Sequence, residues 1–193
     1  MKKNTIRTGA TLAVIFFVTC FFVVVIVRQG SLLSVAVSES LVQIPEQIKS
    51  APINISIERL GVTVPVTPGE YDAAQKTWTL SWGSASFANM TALPNAVSGK
   101  TIIYGHNTKK IFGRTKNITP GDIAIVTTED SSRYTYTFVQ EDEVTPDVTS
   151  IFRNVYEGQP QLVLLTCSGF LNEKRRILRF DLIGVEHMAP HDG

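Results

Sequence analysis

From Gly9 to Val27 the chain runs for 19 residues without a charged side chain, whereas from Ala51 onward apolar and polar residues alternate in short stretches. The first pattern predicts a transmembrane helix, because at 1.5 Å per residue it reaches roughly the 30 Å of a bilayer's hydrocarbon core. Lys2, Lys3 and Arg7 precede it and only Arg28 comes closely after it. The positive-inside bias therefore keeps residues 1–8 in the cytoplasm and exports the chain beyond Arg28, giving a single-pass cell-membrane protein with an extracytoplasmic domain. A cleaved signal peptide is the rival reading, since small residues such as Ala36 and Ser38 lie downstream. Its apolar region, however, usually spans only about 7–15 residues. Cys20 reads as a small membrane-facing hydrophobe, because Phe17, Val18 and Thr19 lack the small residue expected ahead of a lipidated cysteine.

Residues 28–50 mix Ser31, Ser34, Ser38 and Ser40 with Leu and Val, then reach Pro45, which suits a tether. Strand-type alternation begins with Ile53, Ile55 and Ile57 and continues through Val62, Val64 and Val66. Further runs are 101–104, 123–127, 134–139, 162–166 and 177–185, each rich in β-branched or aromatic residues and bounded by turn formers. Helical periodicity is weak, and residues 84–90 and 108–116 have room for only one or two turns. Seven or more short strands in the segment 51–187 predict an all-β closed barrel or sandwich, because closure removes exposed edges. Residues 188–193 read as a tail, and His187 and His191, both within the final seven residues, read as part of a frayed end.

Every one of the 17 acidic residues lies beyond Arg28, against 14 of the 18 basic ones, so the exported part carries a net charge of −3. That balance excludes the basic stripe of a nucleic-acid binder. Glu141, Asp142 and Glu143 are consecutive, so on a strand their side chains point apart; they read as a polar loop or edge, and no metal site is assigned.

Cys167 is the only cysteine outside the apolar segment. A lone thiol in an oxidising compartment has no intramolecular disulfide partner, which points to a nucleophile. A free thiol titrates near about 8.5 and needs a neighbouring cation to be thiolate at neutral pH. His106 stands where the run 101–104 opens into a loop through Gly105, a common place for a catalytic side chain. An arginine on the strand after Cys167 is the second candidate cation, and Arg175, Arg176 and Arg179 all lie there.

Gly105-His106-Asn107 after a strand, Leu164-Leu165-Thr166-Cys167 61 residues after the histidine, and a later strand carrying Arg179 together resemble the signatures of sortases, the membrane-anchored cysteine transpeptidases of bacterial surfaces. The opening Ile53 to Val66, the Trp78 region and Pro120-Gly121-Asp122 are also similar. The resemblance spans about residues 51–186 and implies an eight-stranded β-barrel. It implies that Cys167 is the nucleophile, His106 the general acid and then base, Arg179 the stabiliser of substrate and oxyanion, and Thr166 a substrate-site residue. Arg179 is preferred because the strand after it, Phe180 to Glu186, matches the family better than the segment after Arg176. The implied activity cleaves an LPxTG-like C-terminal sorting signal of a secreted protein and forms a thioacyl enzyme. The acyl group then passes to an amine of a cell-wall precursor or pilin, with no cofactor. The chain departs from common family forms in having Ser168 and Gly169 after the nucleophile and a short loop before the arginines.

Two other functions compete. An exported cysteine L,D-transpeptidase also places histidine before cysteine, but Leu165-Thr166 precede the cysteine here where that group has a Ser/His-Gly run. A non-catalytic tethered barrel that binds a surface partner would make Cys167 a buried small hydrophobe.

Overall fold

The computed structural model describes residues 50–72, 77–148 and 150–187. The expected cytoplasmic segment, membrane anchor and tail, and all of the tether but Ser50, lie outside them. Among the described residues no helix is long and apolar enough to cross a membrane.

Eight strands form a closed barrel: β1 (Pro52–Ile57), β2 (Val62–Gly69), β5 (Ala85–Ala88), β6 (Lys100–Tyr104), β7 (Ile123–Thr128), β8 (Arg133–Val144), β9 (Gln161–Ser168) and β10 (Lys174–Glu186). Around the barrel they run in the order β1-β2-β5-β6-β9-β10-β8-β7, and β3 (Tyr71–Asp72) and β4 (Thr77–Trp78) make a separate two-stranded ribbon. Two neighbouring pairs, β2 with β5 and β6 with β9, are parallel; the remaining barrel pairs are antiparallel.

The period-two pattern decides which side chains fill the interior. Ala124 and Val126 of β7, Tyr134, Tyr136 and Phe138 of β8, Leu162 and Leu164 of β9, and Leu178 and Phe180 of β10 share one core with Ile55, Ile57, Val62 and Val64. Phe138 and Phe180 meet edge to face with centroids 5.4 Å apart, the favoured aromatic geometry. A second apolar cluster lies on the opposite faces of the same strands: Ile102, Tyr104, Val163 and Ile177 pack under Ile151 and Val155, with Trp78, Val144, Phe152 and Leu165 alongside. The connection between β8 and β9 thus covers part of the barrel's outer face.

Three local readings change. Ile53 falls out of the alternation and is 44% exposed, because a register shift against β7 between Pro52 and Asn54 turns it outward. Residues 85–88 are a strand instead of a helical turn; all four are buried between β2 and β6, so neither face shows a polar period. His187 is tied down: its Nδ1 lies 2.9 Å from Ser132 Oγ, whose hydroxyl also bonds Asp130, so the chain's exit from the barrel is anchored at the β7–β8 turn.

Asp122, whose carboxylate is only 4% exposed, accepts both Nε and Nη2 of Arg59 together with the Thr119 backbone N–H. The arginine hydrogen bond is the main cause that holds this carboxyl at about 2 instead of 3.8. Since the folded value lies below the unfolded one, the resulting stability is present above about pH 4 and is lost as pH falls toward 2. Thermal unfolding should therefore show a falling midpoint across that window. Asp122→Asn should melt lower at pH 7 and lose part of the acid dependence; an unchanged slope would show that other carboxylates carry it.

Candidate active site

Strands that run parallel end at the same edge, and the pairing of β6 with β9 uses this to bring two distant loops together. The ladder pairs Tyr104 with Leu165. Just beyond it the Gly105 N–H donates to the Leu165 carbonyl at 3.0 Å, and the Thr166 hydroxyl donates back to the Gly105 carbonyl at 2.8 Å. His106 and Cys167 each lie two residues past the Tyr104–Leu165 pair, on strands separated by roughly 4.8 Å. Gly105 is required by packing: a Cβ there would sit 2.7 Å from Ile111 Cγ2, so the histidine loop folds flat onto Ile111 and Phe112 only with glycine. Cys167 is partly exposed and free, on the outer face with Val163 and Leu165. Thr166 points the other way, is buried, and its hydroxyl is engaged in joining the two strand ends; it lines the site as a brace.

The arginines separate by register. Antiparallel pairing sets Arg175 opposite Cys167, Arg176 opposite Thr166 and Arg179 opposite Val163. Arg175 therefore shares the face of Cys167, and its Nη1 donates to the carbonyls of Asn172 and Lys174 at 3.0 Å. Among the described residues no carboxylate pairs with it. Arg176 turns to the barrel interior, only 11% exposed, where Nε and Nη2 grip Glu141 at 2.5 and 2.6 Å and Nη2 also reaches the Thr115 carbonyl. Arg179 pairs with Asp142 four residues down the strand from Arg175, roughly 13 Å at 3.3 Å per residue. The structure thus brings His106 and Cys167 together and joins Arg175 to them, not the Arg179 preferred on the sequence pattern. Five residues, Gly169 to Glu173, separate β9 from β10, so the hairpin is centred on Leu171, and that symmetry was the available signal for pairing 167 with 175.

The acidic run also resolves by register: Glu141, Asp142 and Glu143 lie on β8 and pair with Arg176, Arg179 and Lys174, three different cations of β10. Among the described residues no group of three His, Cys, Asp or Glu side chains is placed to hold a metal ion.

His106, Cys167 and Arg175 line one cleft of about 360 Å³. Its other walls are apolar: Trp78, Leu80, Val148, Phe152, Leu165 and Ile177 among them. Trp78 stacks on Phe152 and meets Tyr104 edge-on, each with centroids 5.0 Å apart. Trp82, which no sequence pattern singled out, lies flat on the His106 ring at 4.0 Å between centroids. A thiol, an imidazole and a guanidinium at the end of an apolar cleft are suited to acyl transfer: nucleophile, proton carrier and oxyanion partner beside a site for an apolar peptide.

The family model for the sortase domain matches residues 55–181, more than half of the chain. Among solved structures the chain is similar to sortase A of Listeria monocytogenes at 18% identity and TM-score 0.57, over 72% of this chain and 92% of that one. It is similar to sortase E1 from Streptomyces coelicolor at 22% identity and TM-score 0.58, over 72% and 91%. A pilus-related sortase C of Group B Streptococcus aligns at 23% identity and TM-score 0.57, over 71% and 69%. At these identities the likeness is one of fold. No curated protein matches the chain.

The register assigns the two neighbouring arginines opposite costs. Arg176→Ala removes a mostly buried guanidinium together with its bonds to the solvent-reachable Glu141 carboxylate and the Thr115 carbonyl, and should destabilise the domain by about 2 kcal/mol, the scale of hydrogen bonds to a charged group. Arg175→Ala should leave the denaturation midpoint within error of wild type. Chemical denaturation of both variants checks this, and equal losses would contradict the inward placement of Arg176.

Proposed function

The chain belongs to the sortase family of cysteine transpeptidases, and on that premise we propose that it cuts an LPxTG-like sorting signal near the C-terminus of a secreted protein and transfers the acyl group to an amine. The observation that carries this reading is the meeting of His106, Cys167 and Arg175 at one apolar cleft. Apolar walls suit the apolar residues of such a signal, and the cation facing Cys167 stands where charge develops on the scissile carbonyl.

The Cys167 sulfur attacks that carbonyl as thiolate, forming the S–C bond, and Arg175 stabilises the oxyanion of the tetrahedral intermediate. The intermediate collapses by breaking the C–N bond while His106, as imidazolium, gives its proton to the leaving amine. An acceptor amine then attacks the thioacyl carbonyl, His106 takes its proton, and Cys167 leaves as thiolate. No step calls on a cofactor. The acceptor in this reading is an amine of a cell-wall precursor or a pilin lysine; the pilus-related relative supports including the latter. The apolar segment Gly9–Val27 would anchor the enzyme in the cell membrane, N-terminus inside, so that the catalytic barrel meets its substrates as they emerge.

Full-length protein in detergent, mixed with an LPxTG-type peptide and triglycine, should show a thioacyl adduct on Cys167 by mass spectrometry and a ligated product. Cys167→Ala should abolish both, and a ligated product from that variant would overturn the nucleophile assignment. Arg175→Ala should lower kcat/KM by roughly 10²–10³, the scale of a lost oxyanion donor, whereas Arg179→Ala should stay near wild type; the reverse ranking would return the role to Arg179.

A further inference from the structure

Trp82 lies in the connection between β4 and β5 and is 72% exposed. Its indole has one ring partner: the His106 ring, nearly parallel at 12° with centroids 4.0 Å apart. The backbone holds the indole there. Ser81 Oγ accepts from the Gly83 N–H at 3.1 Å and the Ser84 N–H at 3.3 Å, closing a serine turn around Trp82. Ser84 in turn bonds Thr67 on β2 at 3.2 Å, so the turn is fixed to the barrel.

His106, by contrast, stands past the end of the β6 ladder, where no strand pairing sets its side chain. Among the described residues no hydrogen bond orients its imidazole. The ring nitrogens act in the plane of the ring, one as donor and the other as acceptor when the imidazole is neutral and both as donors when it is protonated. A flat cover on one face leaves those nitrogens usable, yet it forbids the rotations that would sweep the ring through the indole.

Resting on the reading of His106 as the proton carrier, we propose that Trp82 is a positioning residue of the catalytic centre: its stacked indole sets the imidazole plane so that a ring nitrogen points to the cleft. Trp82 touches the acid–base and not the reacting bond. Its loss therefore changes turnover before it changes substrate binding.

The test uses full-length protein in detergent with a fluorogenic LPxTG-type peptide and triglycine. Trp82→Ala should lower kcat about tenfold, a fraction of the 10²–10⁴ that a placed acid–base supplies, with KM within about twofold. Trp82→Phe keeps a flat ring and should recover kcat to within about threefold of wild type. A raised KM at unchanged kcat would make Trp82 a substrate contact and overturn the proposal, as would a phenylalanine variant as poor as alanine. A spectroscopic arm is independent of turnover: in a Trp78→Phe background, where Trp82 is the remaining indole, His106→Ala should change the emission. Unchanged emission would show that the stack does not form in solution. If the wild type turns over no such peptide, the substrate reading fails, while the emission arm still decides whether Trp82 holds His106.

Discussion

The parallel pairing of β6 with β9 is the constraint on which the catalytic arrangement depends. Two strands that run the same way deliver their C-terminal ends to one edge, and residues 61 positions apart become neighbours there. Backbone and side-chain hydrogen bonds between Gly105, Leu165 and Thr166 lock that edge. The lock explains why the residue before the cysteine is a buried threonine, and packing of the adjoining loop onto Ile111 explains why the residue before the histidine is glycine. Each is fitted to the joint between strands as much as to the chemistry beside it.

The arginine of the cleft, Arg175, arrives through a different constraint. The tight hairpin between β9 and β10 fixes an antiparallel register in which alternate arginines take opposite faces. One of them braces the barrel against Glu141 and another closes an ion pair with Asp142, both with β8. Only Arg175 is left facing the thiol without a carboxylate among the described residues. The acids of β8 are thus taken up by Lys174, Arg176 and Arg179, and the distribution of charge along β8 leaves the Arg175 guanidinium to the cleft.

The barrel also has two apolar surfaces with different roles. The interior core is closed and holds the fold, whereas in the outer cluster Ile102, Val163 and Ile177 are buried while Trp78, Val144, Phe152 and Leu165 around them stay partly exposed. The uncovered remainder becomes the wall of the cleft. Strands buried on both faces lose the polar alternation that marks a half-exposed strand. This is why residues 85–88 were unreadable as a strand while β8, polar on its outer face at Arg133, Thr135 and Thr137, was plain.

The order of chemistry was legible from the chain alone. A single thiol beyond the apolar segment, one histidine at a strand end and a cluster of arginines after the thiol left few combinations, and period-two alternation through Ile55, Val64, Tyr136 and Phe180 declared an all-β barrel or sandwich. Those signals are local: each depends on residue type and on spacing within one strand. Which arginine meets Cys167 depended instead on the register of a hairpin, where a shift of one residue exchanges faces and a shift of four moves the guanidinium by roughly 13 Å. The cover of Trp82 on His106, residues 24 positions apart, depended on a serine turn docked to β2 across 17 positions, and no periodicity records either contact. Composition and pattern determined what kind of protein this is; pairing register and loop docking, which are properties of the closed barrel as a whole, decided which side chains meet at the cleft.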